Sequence, residues 1–201
     1  MQDELDILRE VGSIISAHGS IALSKILGKK ITISIPNTDF ISSKTVLNKV
    51  SANQIGIAVI STLVTGLKGR VVFLLDEKNA FKIVDMSYKT PQEEKQASTL
   101  TEVGLSLIKE IGNIVIGAGT NAMSMILRIP ILTVPPTLVS GSIEEILRIA
   151  LFPTGEEGHS FLIEVAFEEP EEKIKGGFYL VLTSEAANDI KKICKELLNK
   201  L

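Results

Sequence analysis

"EIGNIVIGAGTNAMSMILRIPILTVPP" (110–136) decides the fold, because the chain carries it twice. Displaced by 100 residues, "EVGSIISAHGSIALSKILGKKITISIP" (10–36) lies on it with ten of 27 positions identical. Ordinary composition would give roughly two by chance. The identities include Glu10/Glu110, Gly12/Gly112, Gly19/Gly119, Ser24/Ser124 and Pro36/Pro136. Taken alone the stretch is a poor helix: Gly112, Gly117 and Gly119 each cost roughly 1 kcal/mol relative to alanine in a helix interior. Yet Ile108, Ile111, Val115, Ala122 and Ile126 recur around them at helical spacing. We read the glycines first as places where another backbone comes close, from within the fold or from a partner.

Outward from this stretch the repeat continues. "LKGRVVFLLDEKNAFKIV" (67–84) lies on "IKGGFYLVLTSEAANDIK" (174–191), now displaced by 107. Seven extra residues are therefore expected in the second copy, around "FPTGEEGHS" (152–160). Each copy reads as a long helix (about 3–28 and 97–128), then a short strand ending in proline, "ITISIP" or "ILTVPP". Two β-branched runs follow, 55–65 and 69–75 in the first copy, about 160–167 and 176–183 in the second. A closing helix ends each copy, at about 77–87 and 184–200, the latter with Ser184 as N-cap. "YKTPQEEKQAS" (88–98) connects them. The expectation is one α+β domain over 1–201, built from two repeats (about 1–90 and 97–201). A pseudo-twofold axis should relate the long helices, with the antiparallel strands sharing one sheet or core.

Composition narrows the function classes. A net charge of −3 over 201 residues, without a Lys/Arg cluster, offers no footprint for nucleic acid. The longest apolar-rich run, "IGIAVISTLVTGL", is too short to cross a bilayer and reads as strand. The acidic start, "MQDELDILRE", lacks the order of a signal peptide, so the cytoplasm is the expected location and no membrane insertion is expected. One cysteine excludes an internal disulfide framework and a cysteine-built metal cluster. Cys194, at helical spacing from Ile190 and Leu197, is expected in the core. His18 and His159 have no triad or metal spacing around them and read as structural. "GAG" (117–119) lacks the lysine of a phosphate loop. "EEPEEKIK" (168–175) reads as an exposed acidic turn.

On a helix, Ser106, Glu110, Asn113 and Gly117 fall at i, i+4, i+7 and i+11 and share one face. The counterparts in the first copy are Asp6, Glu10, Ser13 and Ala17. A glutamate with an asparagine one turn later is ordinarily just a solvated face. Here the asparagine, a mediocre helix former, adds to a segment already weakened by glycine, and the glutamate recurs in both copies. That face is the candidate site.

Ser106, Glu110, Asn113 and Pro136, with "KEIGNIVIGAGTNAMS" (109–124) around them, resemble the active-site signature of the CheC, CheX and FliY phosphatases of chemotaxis. Asp6, Glu10, Ser13 and Pro36 repeat the spacing. The resemblance covers nearly the whole chain and implies a CheC-like fold. It implies hydrolysis of the phosphoaspartate of a CheY-type response regulator, with CheD as a second partner. It gives Asn113 the role of orienting the attacking water and Glu110 that of contacting the regulator's lysine, with Ser106 and Pro136 in support. Mg²⁺ then belongs to the bound regulator, and the chain needs no cofactor or metal of its own. Ser13 departs from the signature where the asparagine is expected. Asp6, Glu10, Ser13 and Pro36 therefore form a degenerate second site, and one competent site is expected. The alternative is a weakly catalytic or non-catalytic binding module for CheY, CheD or both. A purely structural role in the flagellar switch ranks third.

Overall fold

Each copy of the repeat folds into the same order of elements, save for one helix described in the second copy alone. The computed structural model describes residues 2–42, 54–88, 100–151 and 159–198. The first copy runs α1 (Gln2–Leu27), β1 (Thr32–Ile33), β2 (Asn37–Ser42), β3 (Ile55–Thr65), β4 (Gly69–Asp76) and α2 (Glu77–Tyr88). The second runs α3 (Glu102–Leu127), β5 (Leu132–Thr133), β6 (Thr137–Ser142), α4 (Ile143–Leu151), β7 (His159–Glu169), β8 (Ile174–Thr183) and α5 (Ser184–Leu198).

The strands make one antiparallel sheet, and the two copies exchange arms to build it. Its central path is β7–β8–β4–β3. β1 and β2 leave their own copy to pair with β7, while β5 and β6 pair with β3. At the centre Val72 pairs with Tyr179. These two residues are also equivalent in the repeat, so the pseudo-twofold axis passes through that pair. Burial, reinforced by the nearby Glu164 carboxylate, pushes the Tyr179 phenol well above its ordinary value.

Both faces of the central strands are covered, which is why β3 and β4 read as near-continuous apolar runs. Val71, Phe73 and Leu75 point into the large core beneath α1, α2, α3 and α5. Val72 and Leu74 point the other way, into a smaller core closed by Ile146, Leu147, Ala150 and Leu151 of α4. α3 is long and apolar enough to cross a membrane, but its apolar side lies against α1, β3 and β4 inside the fold. Cys194 packs at the edge of the large core, as expected, and burial raises its thiol.

The glycines of α1 and α3 show how the layers meet. A Cβ at Gly112 would fall 2.5, 2.6 and 2.8 Å from the Cβ, Cγ2 and Cγ1 atoms of Val59 on β3. Gly12 repeats this on the other half, against Ile163 of β7. A Cβ at Gly119 would stand 3.0 Å from the carbonyl oxygen of Ile15, and one at Gly19 would touch Val115 at 3.4 Å. The two helices therefore cross antiparallel, close to residues 17 and 117. Gly117 differs: a Cβ there would meet nothing within 4 Å.

Several elements depart from the sequence reading. α3 begins at Glu102, later than expected, because the Thr101 hydroxyl caps it by accepting the Gly104 N–H. The prolines end only part of each short strand: β2 and β6 begin just after them, on polar sequences at the margins of the sheet. The helix α4 was not anticipated, although "SIEE" (142–145) is a capping box. The Ser142 hydroxyl accepts the Glu145 N–H at 3.2 Å, and Glu145 Oε2 accepts from the Ser142 N–H. The Ser142 hydroxyl, donating to Glu145 Oε2 at 2.8 Å, and then the Ser142 N–H hold the Glu145 carboxyl below its ordinary value. The cap of α5 is Thr183, whose hydroxyl accepts the Ala186 N–H, and not Ser184.

The inserted residues are divided. Five residues separate the paired Leu63 and Gly69, and eight separate their counterparts Phe167 and Gly176, where the ladder runs two pairs further, to Glu169 and Ile174. Three of the seven extra residues thus lengthen the end of the β7–β8 hairpin, and only four precede β7. That turn is not wholly exposed: buried Glu169 accepts the N–H groups of Glu171 and Glu172, and Lys29 pairs with Glu171. The connection at 89–99 and the stretch 152–158 lie outside the described residues.

Candidate active site

α3 is held from three directions. Gly112 seats it on β3, Gly119 seats it on α1, and buried Ile108, Ile111, Val115 and Met123 fill the space between. The opposite side is left to solvent, and the residues predicted to share a face do so there. Ser106, Glu110 and Asn113 are all exposed. At three- and four-residue spacing their Cβ atoms stand about 5–6 Å apart. Neither the Glu110 carboxylate nor the Asn113 carboxamide hydrogen-bonds or pairs with any other described residue.

Pro136 arrives by a different route. It lies half-buried in the turn before β6, a strand that packs on α3. Val134, two residues earlier, anchors that turn to β3 through its N–H to the Thr62 carbonyl and through the Ser61 hydroxyl at 2.6 Å. The helix end is tied down as well, the Ser124 hydroxyl donating to the Ile129 carbonyl at 2.6 Å. Ser24 does the same to Lys29 at the end of α1, which accounts for the Ser24/Ser124 identity in the repeat.

The α1 face repeats the scaffold with altered chemistry. Asp6 and Glu10 are exposed, Ser13 is half-buried, and Pro36 is buried against Gly12. Asp6 is engaged by Arg9 at 2.9 Å, whereas its counterpart Ser106 carries no charge. Ser13 presents a hydroxyl where α3 presents a carboxamide. The antiparallel crossing sets the two faces on opposite sides of the pseudo-twofold axis.

The sequence reading missed part of the α3 face. Val103, Ile114 and Met125 are exposed beside the polar residues, and Asn121 is exposed along the same line. Their signal was the same helical spacing, three turns between successive apolar members. His18 is exposed on α1, and the side chain of His159 lies outside what is described. Among the described residues no three His, Cys, Asp or Glu side chains form a metal-binding group.

No protein-family model matches the chain. It is similar to the CheY-P phosphatase CheC of Bacillus subtilis (strain 168), 19% identical over 184 residues, covering 90% of this chain and 88% of that protein. The crystal structure of Thermotoga maritima FliY superposes with a TM-score of 0.78 at 25% identity, over 98% of both chains. The fold also matches the FliM middle domain from H. pylori (TM-score 0.66, 12% identity, 96% of this chain and 99% of that one). It matches CheX in a complex with CheY, BeF3 and Mg²⁺ from Borrelia burgdorferi (TM-score 0.55, 17% identity, 85% and 96%). With its duplicated helix-and-sheet unit and these likenesses, the chain has a fold of the CheC/CheX/FliY type.

Proposed function

We propose that α3 is the working surface of a phosphatase that hydrolyses the phosphoaspartate of a CheY-type response regulator in chemotaxis signalling. The observation that carries this reading is the Glu110–Asn113 pair, exposed and with side chains bonded to no other described residue, on a helix fixed to both α1 and β3. It is supported by the likeness to a CheY-P phosphatase and by the CheX neighbour seen with CheY. An acyl phosphate is already activated, so the catalyst need only hold a water in line. The Asn113 amide accepts from and donates to that water, the role glutamine fills in GTPases. The water oxygen bonds to phosphorus, the bond from phosphorus to the aspartyl oxygen breaks, and the carboxylate departs. The water's proton leaves with the phosphate. Glu110 meets the regulator's lysine, Ser106 and Pro136 support the surface, and Mg²⁺ comes with the regulator.

The α1 face keeps Asp6 and Glu10 for docking but hydrolyses weakly or not at all, its serine being too short to place the water. The same serine favours a second reading: this scaffold persists after losing a catalytic residue, as a binding module for CheY or CheD would. Decay of the phosphorylated regulator, followed with Glu110→Ala and Glu10→Ala, tests the choice. Removing a charge-assisted contact should cost Glu110→Ala about 10–100-fold in kcat/KM. Glu10→Ala should stay within about twofold of wild type. Equal losses would mean two competent faces, and no loss from either would refute the assignment.

A further inference from the structure

We propose that Gly117 is a clearance residue, its missing side chain letting the regulator's phosphoaspartate-bearing segment lie against α3 beside Asn113. The inference rests on the function proposed above. Three glycines interrupt α3 between Glu110 and Asn121, and two have reasons inside the fold. Gly112 is required by Val59 and Gly119 by the Ile15 backbone. Gly117 has neither reason. A Cβ there meets nothing within 4 Å, and the positive-φ glycines are Gly28 and Gly66 alone among the described residues. Alanine would suit the helix better and cost the packing nothing.

A residue that weakens its own element without internal compensation marks a constraint from outside it. The direction of that constraint is legible. Gly117, itself half-buried, lies one turn beyond Asn113 on the same helix face, so a side chain there would stand about 5–6 Å from the Asn113 Cβ. It would occupy the path by which a phosphorylated side chain and its backbone reach the carboxamide. α1 carries Ala17 at the equivalent place, in the half that also carries Ser13.

The test uses Gly117→Ala, Gly117→Leu and the polar Gly117→Gln. A CheY-type regulator activated with beryllofluoride and Mg²⁺ is the binding probe, and phospho-regulator turnover is measured alongside. Gly117→Ala should raise the melting midpoint by about 2–4 °C, the shift expected of a helix glycine replaced without strain in a chain of this size. The leucine and glutamine variants should bind about 10–100-fold more weakly, as steric misfit in a close contact does. The loss should fall on KM, with kcat at saturation within about twofold of wild type. Tight binding by both bulky variants, or a loss confined to kcat, would overturn the clearance role and leave the phosphatase reading standing. Failure of the wild-type protein to bind the activated regulator would overturn both.

Discussion

Asn113→Ala should slow hydrolysis of the phosphorylated regulator by on the order of 10²–10³, the cost of removing one preorganised hydrogen-bonding group from a transition state. The substitution should leave binding nearly intact, and the reason is structural. Asn113 is exposed and its carboxamide is bonded to no other described residue, so alanine removes no internal hydrogen bond and improves the helix slightly. Docking is assigned to Glu110 and the surrounding face, and hydrolysis to the carboxamide. The signature of the variant is therefore a fall in kcat with binding preserved. Single-turnover decay of the phospho-regulator, paired with titration against its beryllofluoride form, separates the two. Equal loss of binding and turnover would make Asn113 a docking residue and remove its part in the chemistry.

Gly112→Ala is expected to destabilise the fold and, with it, the site. The new methyl would overlap three carbons of Val59, a fully buried residue of the central strand β3. Overpacking of this kind costs about 1–3 kcal/mol, and here it outweighs the roughly 1 kcal/mol that alanine adds to helix propensity. The Val59 Cβ belongs to a strand paired on both sides, by β4 and β6, and has no rotamer by which to retreat. Gly12→Ala is the informative control. Its Cβ overlaps the Ile163 Cγ2 methyl and clears the Ile163 Cβ at 3.7 Å, so rotation about χ1 relieves the overlap. The melting midpoint should therefore fall further for Gly112→Ala than for Gly12→Ala. Since α3 would be lifted from the sheet between Glu110 and Asn113, activity should fall with stability. An unchanged midpoint for Gly112→Ala would mean the helix does not sit on β3 as described.

The repeat made much of this architecture readable before any coordinates. A shift of 100 residues places Gly12 on Gly112 and Gly19 on Gly119, and the helix crossing is built from those pairs. What the repeat could not disclose is the exchange of arms. Equivalence between copies says which strands correspond, and is silent on whether β2 pairs with β3 or β7. The margin strands escaped for another reason: "NTDFIS" and "TLVSGS" lack the apolar alternation of a half-buried strand, and the preceding prolines read as ends. α4 was legible through "SIEE" and went unread. The candidate face was legible because helical spacing is local. That Gly117, unlike its two neighbours, answers to nothing inside the fold needed the coordinates.

The most direct measurement is the lifetime of a phosphorylated CheY-type regulator in Mg²⁺, alone and with the wild-type protein at substoichiometric amounts. The reading predicts accelerated decay with multiple turnovers per chain. A complex that forms while the phosphoaspartate decays at its own unaided rate would contradict it, and would leave α3 as a recognition surface without catalysis.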